Sequence, residues 1–255
     1  MKHQSDYEAS QHTAAEQSKA LATWSIKAQD TFLAQVMARL AEQGGRRKKA
    51  VGLDAGLQAA RDGDLLALKA AVASGWEPNS NVDRHGSSAL LWAAGGGHLE
   101  VCVYLVEGCG CDPRACQARD GRNAVHWAAR NGHLPVVRWL VEAQGLDADI
   151  PTHDGTTPLH WAAWQGHLPV IKWLVEKAAC KADHANKYGC TAVHWASQGT
   201  ATNAPQVVEY LFARGLSITA QNCNGHTPLH KAAQRGHRAL CEWLLCGGGG
   251  GGGRR

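Results

Sequence analysis

One phrase of eight residues occurs five times in this chain, each time directly after a glycine. The copies read SSALLWAA, RNAVHWAA, TTPLHWAA, CTAVHWAS and HTPLHKAA, and the glycines before them are Gly86, Gly121, Gly155, Gly189 and Gly225. These glycines are 35, 34, 34 and 36 residues apart. A period of about 33 residues around such a phrase is typical of stacked helix-turn-helix units, none of which can bury its apolar face alone. The spacing therefore predicts a stack of repeats.

The third copy shows how each unit is expected to fold. Thr157 can cap a helix that begins at Pro158, because a threonine hydroxyl accepts from the first unpaired N–H groups and proline suits the first turn. Gly166 can end this helix in a left-handed conformation, and Pro169 can open a second helix. Each unit is therefore predicted to contain two short helices and a turn.

The segment DGTTPLHWAAWQGHLPVIKWLVEKAA, residues 154–179, resembles an ankyrin repeat almost letter for letter. The resemblance extends over residues 51–246. It implies an all-α ankyrin-repeat solenoid of five full repeats with β-turn fingers along one edge, and the less regular stretch from Leu53 to Gly75 fits a degenerate N-terminal capping repeat. Ankyrin repeats act mostly as protein-binding surfaces without catalysis. The resemblance therefore implies a protein or peptide partner, and it implies neither a cofactor nor a small-molecule substrate.

The segments that flank the repeats have a different character. Residues 14–42 carry apolar side chains three or four positions apart, which predicts an amphipathic helix. This helix either covers the first repeat, or binds a partner, or forms a coiled coil. A basic run from Arg46 to Lys49 completes residues 1–50, as a linker or as a targeting signal, and the composition of residues 247–255 predicts a disordered glycine-rich tail. Three regions result, with the repeat domain at 51–246.

Composition and charge bear on the compartment and on the class of partner. Nine cysteines are an odd number in a chain whose apolar repeats need no disulfides, which favours a reducing compartment. No run of about 18 apolar residues is present, and the first ten residues lack the pattern of a signal peptide. The net charge of +4 derives mainly from the ends of the chain, so nucleic acid is not an expected partner. We expect a cytoplasmic protein, or a nuclear one if the basic run acts as a signal.

Histidine and cysteine are frequent, but their positions argue against a metal site. Eight of the fourteen histidines occupy two repeat columns, so equivalent residues lie a full repeat apart rather than around one ion. By resemblance, these histidines are expected to hydrogen-bond to adjoining backbone. Cys109, Cys111 and Cys116 form a compact set that could bind zinc with a fourth ligand, but no paired CxxC follows them.

Function is expected at positions that the repeat scaffold leaves free. By resemblance, these are the finger residues beside each glycine and the two residues before each Gly-His break. The side chains predicted to bind a partner are Arg119, Arg122, Arg130, His153, Trp164, Gln165, Lys187 and Tyr188.

Trp164 is the tryptophan of most interest in this set. Two aromatic ladders are expected to pack between repeats, one after the phrase histidine (Trp92, Trp127, Trp161 and Trp195) and one along the second helices (Tyr104, Trp139, Trp173, Tyr210 and Trp243). Trp164 belongs to neither ladder. With the basic side chains around it, it would form an aromatic and basic groove for an acidic or carboxylate-bearing peptide. The alternative is that Trp164 only packs against a ring of the neighbouring ladder.

Two irregularities interrupt the pattern. The fourth full repeat reads GTATNAP from Gly199 in place of a Gly-His break and is three residues longer than its neighbours. The last repeat ends in apolar residues with no polar capping unit after it, which predicts self-association through this end, a truncated gene model, or marginal stability of this end. The leading hypothesis is a non-catalytic adaptor or scaffold that binds its partner through the concave face and fingers. The alternatives are a nuclear or membrane-surface regulatory factor targeted by residues 1–50, and the interaction part of a larger enzyme.

Overall fold

The computed structural model describes residues 53–246. The predicted N-terminal helix, the basic run and the glycine-rich tail lie outside the described residues. The predictions made for those segments, and the three-region division that depends on them, stay predictions.

Twelve α-helices follow one another in the described residues, as pairs of one inner and one outer helix. The inner helices are α1 (Ala55–Asp62), α3 (Ala89–Gly96), α5 (Ala124–Arg130), α7 (Pro158–Gln165), α9 (Ala192–Gln198) and α11 (Pro228–Arg235). The outer helices are α2 (Leu65–Ala73), α4 (Leu99–Val103), α6 (Leu134–Arg138), α8 (Leu168–Glu176), α10 (Ala204–Ala213) and α12 (Arg238–Leu245). Helices α4 and α6 continue into π-helical turns at Tyr104–Gly108 and Trp139–Ala143. Between residues 53 and 246 the only β-structure consists of isolated bridges, Val82 with Ser88 and Cys116 with Asn123.

Adjacent inner helices pack against each other along the stack, and each outer helix packs against its own inner helix. The result is a single stack of repeats, which confirms the predicted all-α solenoid. Its core contains one leucine from each of four successive outer-helix segments, all of them fully buried: Leu105, Leu140, Leu174 and Leu211. The alanine pairs of α5 and α7 are also fully buried or nearly so, because small side chains let adjacent inner helices approach closely.

The helix boundaries follow from the predicted capping residues. In α7 the Thr157 side chain accepts from the backbone of the third helical residue, and Nδ1 of that residue, His160, accepts from Thr157 N–H at 3.1 Å. Such a reciprocal pair satisfies two N–H groups that a helix start otherwise leaves unpaired. Gly166 ends the helix with φ of 74°, in the left-handed region. The predicted N-cap, first-turn proline and C-terminal glycine of this unit are all confirmed.

In the fourth full repeat, which carries the insertion, an asparagine takes over the hydrogen bond of the missing histidine. In other repeats the ring of the histidine after the helix-ending glycine hydrogen-bonds through Nε2 to a carbonyl of the preceding repeat, at 2.8 to 3.0 Å: His98, His133 and His237. In the longer repeat, Asn203 Nδ2 donates instead to the carbonyl of Gly166 at 2.8 Å. The amide therefore keeps the inter-repeat hydrogen bond, and the stack continues without a break.

The turns that precede the inner helices form the predicted fingers. Each is closed by backbone hydrogen bonds, such as Thr152 N–H to Thr156 O at 2.9 Å. Neighbouring fingers are also joined to each other, because the backbone N–H groups of His153, Lys187 and Cys223 donate to carbonyls of the preceding fingers at 2.8 to 2.9 Å. Within the described residues no such backbone bond joins the first finger to the second, where the Gln117 side chain donates to Ser87 Oγ at 2.8 Å.

The last repeat is covered on one side only within the described range. Leu245, the final residue of α12, is 71% exposed, and Ala233 of α11 is exposed where the equivalent alanines of α5 and α7 are buried. The last repeat therefore exposes apolar side chains at residue 246, the end of the described range, as the sequence indicated.

Candidate functional site

The tryptophans that follow the phrase histidine, here called the tryptophan ladder, line one surface of the inner helices. We call this surface, with the last turns of the inner helices, the inner face; it corresponds to the concave face of the sequence prediction. The ladder rings are half-buried, whereas the pattern predicted rings buried between repeats: Trp92, Trp127, Trp161 and Trp195. They remain partly accessible because alanines, and not the indoles, fill the inter-helix contacts. Trp161 and Trp195 meet edge to face with their centroids 5.0 Å apart.

Two predicted site residues, Arg122 and Arg130, pack against this ladder. The Arg122 guanidinium lies 5.3 Å from the Trp127 centroid and 4.9 Å from the Trp161 centroid. The Arg130 guanidinium lies 5.2 Å and 5.3 Å from the same two centroids. The two cations therefore fill the gap between these rungs, where the negative faces of the indoles attract them.

The two arginines differ in their anionic partners. Arg122 forms a 2.7 Å ion pair with Asp120 of its own finger. No carboxylate of the described residues lies within ion-pair distance of Arg130, and its Nε is buried without a hydrogen-bond partner. Burial, and then the charge of Arg122, lower the pKa of the Arg130 guanidinium. The site therefore holds a partly desolvated positive charge that lacks a counter-ion in this part of the chain.

The contacts of Trp164 agree in part with each of its two predicted roles, a partner-binding side chain and a ring packed against the neighbouring ladder. Its ring meets Trp195 edge to face with centroids 5.3 Å apart, which is the packing that the alternative reading described. The indole is nevertheless only half-buried, and the Arg235 guanidinium lies 5.5 Å from its centroid. Trp164 thus extends the line of stacked rings and cations. Its neighbour Gln165 accepts a hydrogen bond from the Thr200 hydroxyl at 3.1 Å, within the longer repeat.

The remaining predicted residues lie on the fingers and form a separate group. Arg119, His153 and Lys187 are exposed, and Tyr188 is 53% exposed. The Lys187 ammonium lies 5.1 Å from the Tyr188 centroid. The structure therefore distributes the predicted set over two surfaces, the inner face with Arg122, Arg130, Trp164 and Gln165, and the finger row with the other four.

Two further arginines of the inner face were missing from the predicted set. Arg61, in the capping repeat, lies 6.0 Å from the Trp92 centroid, and Arg235 packs on Trp164. A signal for Arg61 was present in the sequence, because AARDG in the capping repeat aligns with AARNG around Arg130. The alignment was missed because the capping repeat lacks the eight-residue phrase of the full repeats.

Charge is distributed unequally between the two layers of helices. The inner helices α3, α5, α7, α9 and α11 contain Arg130, Lys231 and Arg235 and no acidic residue. Acidic residues lie instead on the outer helices: Glu100, Glu176, Glu209 and Glu242. From the first full repeat onward, the inner-helix layer is therefore neutral or positive along its whole length.

The phrase histidines are structural, as the resemblance implied. His160 and His126 are each 1% exposed, and burial lowers the pKa of both imidazoles to about 4. His160 Nε2 hydrogen-bonds to the Cys190 carbonyl of the next repeat at 3.0 Å. Because Nδ1 accepts from the Thr157 N–H, the Nε2 nitrogen carries the proton and the ring is neutral. His160 therefore links two repeats, whereas Nε2 of His126 is buried without a hydrogen-bond partner.

Residues 53–246 contain neither a cluster of metal-binding side chains nor a membrane-spanning helix. No group of three or more His, Cys, Asp or Glu side chains is placed to hold a metal ion, and of the thiols of the Cys109 set, Cys111 is buried and Cys116 is exposed. No helix of this range is long and apolar enough to cross a bilayer.

Comparison with known proteins agrees with the architecture. The family model of ankyrin repeats, which spans three copies, matches the chain at residues 56–152, 106–185, 143–222 and 178–250. A search of curated proteins found no significant match. The matched regions together cover the stack from α1 to α12, and such repeats generally mediate protein–protein interactions. The chain therefore belongs to the ankyrin repeat family.

Proposed function

We propose that this protein is a non-catalytic adaptor that holds an acidic segment of another protein on its inner face. The observation that carries the proposal is the Arg130 guanidinium, which is partly buried between two indoles, close to Arg122, and without a carboxylate partner in the described residues. A charge in this position is more stable when an anion binds to it.

The geometry suits a carboxylate ligand. The indoles of Trp127 and Trp161 hold the guanidinium groups of Arg122 and Arg130, so little side-chain freedom is lost when a ligand binds. A guanidinium offers paired N–H donors that match the two oxygens of a carboxylate. Because the inner helices from α3 onward contain no acidic residue, an acidic segment meets no repulsion from them. The partner segment is therefore expected to carry aspartate or glutamate.

The other predicted residues support a larger contact area. Trp164 extends the aromatic surface toward the last repeats, and Tyr188 and Lys187 present an exposed aromatic ring and an ammonium on the finger row. Tryptophan, tyrosine and arginine are the residue types in which binding energy concentrates. We infer that the inner face provides the anchor and the fingers add selectivity.

A matched pair of arginine substitutions tests the proposal. Arg130→Ala removes the inner-face charge, and Arg138→Ala removes an exposed arginine of the outer helix of the same repeat. The probe is a fluorescent peptide of alternating aspartate and glutamate, and binding is measured by anisotropy. A hydrogen-bonded charge pair contributes about 1.5–3 kcal/mol, so Arg130→Ala is expected to weaken binding at least about tenfold and Arg138→Ala to change it little.

Two results would contradict the proposal. Equal affinity of both variants would show that the peptide does not bind at Arg130. Tighter binding of a single-stranded oligothymidylate than of the acidic peptide, with the same dependence on Arg130, would assign the ladder to base stacking instead. Circular dichroism of both variants establishes that the stack is intact.

We also propose that the protein acts in a reducing compartment. All nine cysteines lie within the described residues, and each of them is free, which supports a reducing compartment such as the cytoplasm or the nucleus.

We also infer self-association through the last repeat, supported by the exposure of Leu245.

A further inference from the structure

A cavity of about 140 Å³ opens on the inner face between the first two rungs of the tryptophan ladder. Its lining is mostly apolar and includes Trp92, Trp127, Leu91, Arg61 and Asn131. Gly95, in the last turn of α3, lies between these side chains. We call this space the Gly95 pocket.

The next two gaps of the ladder are filled by the protein itself. The guanidinium groups of Arg122 and Arg130 occupy the gap between Trp127 and Trp161, and Trp161 and Trp195 contact each other directly. Among the ladder gaps of the described residues, the first is thus the one left open to a ligand.

The pocket exists because position 95 has no side chain. The equivalent positions of the other full repeats hold Arg130, Trp164, Gln198 and Gln234, so the scaffold accepts large residues there. The backbone does not require glycine either. Gly95 is helical, and a Cβ built on it would lie 3.6 Å from Asn131 Nδ2 and 3.8 Å from Trp127 Cβ, which are ordinary contacts.

The neighbouring glycine shows the contrast. A Cβ on Gly96 would lie 2.6 Å from the His98 ring and 2.9 Å from the carbonyl of Arg61, so packing demands glycine at that position. At position 95, glycine destabilises the helix relative to alanine and satisfies no packing requirement. A residue that weakens the scaffold and keeps a pocket open is best explained by what the pocket binds.

We propose that the Gly95 pocket receives an aromatic side chain of the acidic partner segment, an inference that rests on the proposed function. Size supports a single ring, because an apolar cavity of about 150 Å³ holds one benzene molecule. Charge disfavours a cationic side chain, because Arg61 lines the pocket and no acidic residue does. Two indole walls favour a ring through edge or face contacts. The recognised segment therefore combines an aromatic residue with nearby carboxylates.

Two short synthetic peptides test the inference with the full-length chain. Both consist of aspartate and glutamate and differ at one central position, which is phenylalanine in one and alanine in the other. Because the pocket removes the ring from water, the phenylalanine peptide is expected to bind wild type about tenfold more tightly. Gly95→Leu fills the pocket and is expected to abolish this difference while the alanine peptide binds as before. Gly95→Ala adds one methyl group beside the pocket lining, so this matched control is expected to reduce the difference without abolishing it.

The inference and the proposed function can fail separately. If both peptides bind wild type equally and depend on Arg130, the pocket assignment is wrong and the acidic-segment proposal stands. A neutral probe, benzyl alcohol, reports on the pocket without any charge. It is expected to shift the indole N–H resonances of Trp92 and Trp127 in wild type and in Gly95→Ala, and to leave them unchanged in Gly95→Leu. If benzyl alcohol binds in this way while neither peptide binds, the acidic-segment proposal fails and the aromatic specificity of the pocket is supported.

The remaining outcome concerns the chain's own aromatic residues. Trp24 and Phe32 are aromatic residues of the segment 14–42, for which the sequence predicts a helix. If their substitution by alanine shifts the same two indole resonances in the free protein, the N-terminal segment occupies the pocket, and the assignment to a partner is wrong. Unchanged resonances support the partner as the occupant.

Discussion

Acidification is expected to destabilise the stack through its buried histidines. His126 and His160 are almost fully buried, and burial lowers the pKa of each imidazole from 6.5 to about 4. The unfolded chain therefore binds more protons than the native chain below pH 6.5. Stability is fully present above about pH 6.5, decreases as the pH falls, and loses no more from this source once the pH is below about 4.

The size of the effect follows from the two pKa values. The change from 6.5 to about 4 corresponds to about 3 kcal/mol for each histidine when both states are fully protonated. At pH 5 the expected loss is about 2 kcal/mol for each residue, or about 4 kcal/mol for the pair. Most carboxylates titrate in the acid part of this range, below about pH 4.5. The interval between pH 7 and pH 5 therefore reports mainly on the histidines.

The assay is urea unfolding followed by circular dichroism at several pH values in this interval. The double variant His126→Gln, His160→Gln removes the titration, and glutamine at the third helical position can still accept from the N-cap backbone. It is expected to lose about 4 kcal/mol less than wild type between pH 7 and pH 5. His85→Gln, on an exposed finger position, is the control and should follow the wild-type curve.

One result would refute this reasoning. If the double variant and wild type lose the same free energy of unfolding between pH 7 and pH 5, the two histidines accept protons in the native stack as readily as in the unfolded chain. Their burial would then contribute nothing to the acid sensitivity.

Three further predictions concern the longer repeat and the last one. Gly199→Ala places a Cβ against the carbonyl oxygen of Trp164 and is expected to cost about 2 kcal/mol or more, and an unchanged midpoint of urea unfolding would contradict this. Asn203→Ala removes the donor to the Gly166 carbonyl and should cost about 1 kcal/mol in the same assay, whereas Asn203→His should retain most of the stability, because a histidine ring makes the equivalent bond in other repeats. Leu245→Lys should shift a wild-type dimer toward monomer in sedimentation velocity, and a wild type that stays monomeric at every concentration would contradict self-association through this end.

The repeat phrase predicted the fold because its letters encode local interactions. Thr157, Pro158 and Gly166 act within a few residues of themselves, so their roles as cap, first turn and terminator could be predicted from sequence spacing alone. The replacement of the repeat histidine by Asn203 could not be predicted, because an insertion of three residues leaves the alignment of that loop open until its backbone path is known.

The candidate site was predictable to a smaller extent. Arg122 and Arg130 were found because the resemblance marks variable positions, but their sharing of one gap between two indoles depends on side-chain conformations in two repeats. The contact of Trp164 with Trp195 depends on such conformations too. The Gly95 pocket could not be predicted from the sequence. The shape of a cavity depends on how the surrounding side chains pack, and no residue type marks one.

The backbone hydrogen bonds between neighbouring fingers make three amide groups sensitive to the separation of adjacent repeats. Amide protons of surface turns usually exchange readily with solvent, but the N–H groups of His153, Lys187 and Cys223 are hydrogen-bonded to carbonyls of the preceding repeat. These protons can exchange with solvent only when adjacent repeats separate at that edge. Deuterium uptake at the three amides would therefore measure, junction by junction, how often the array opens, while the backbone of the first finger would exchange independently of the junction that follows it.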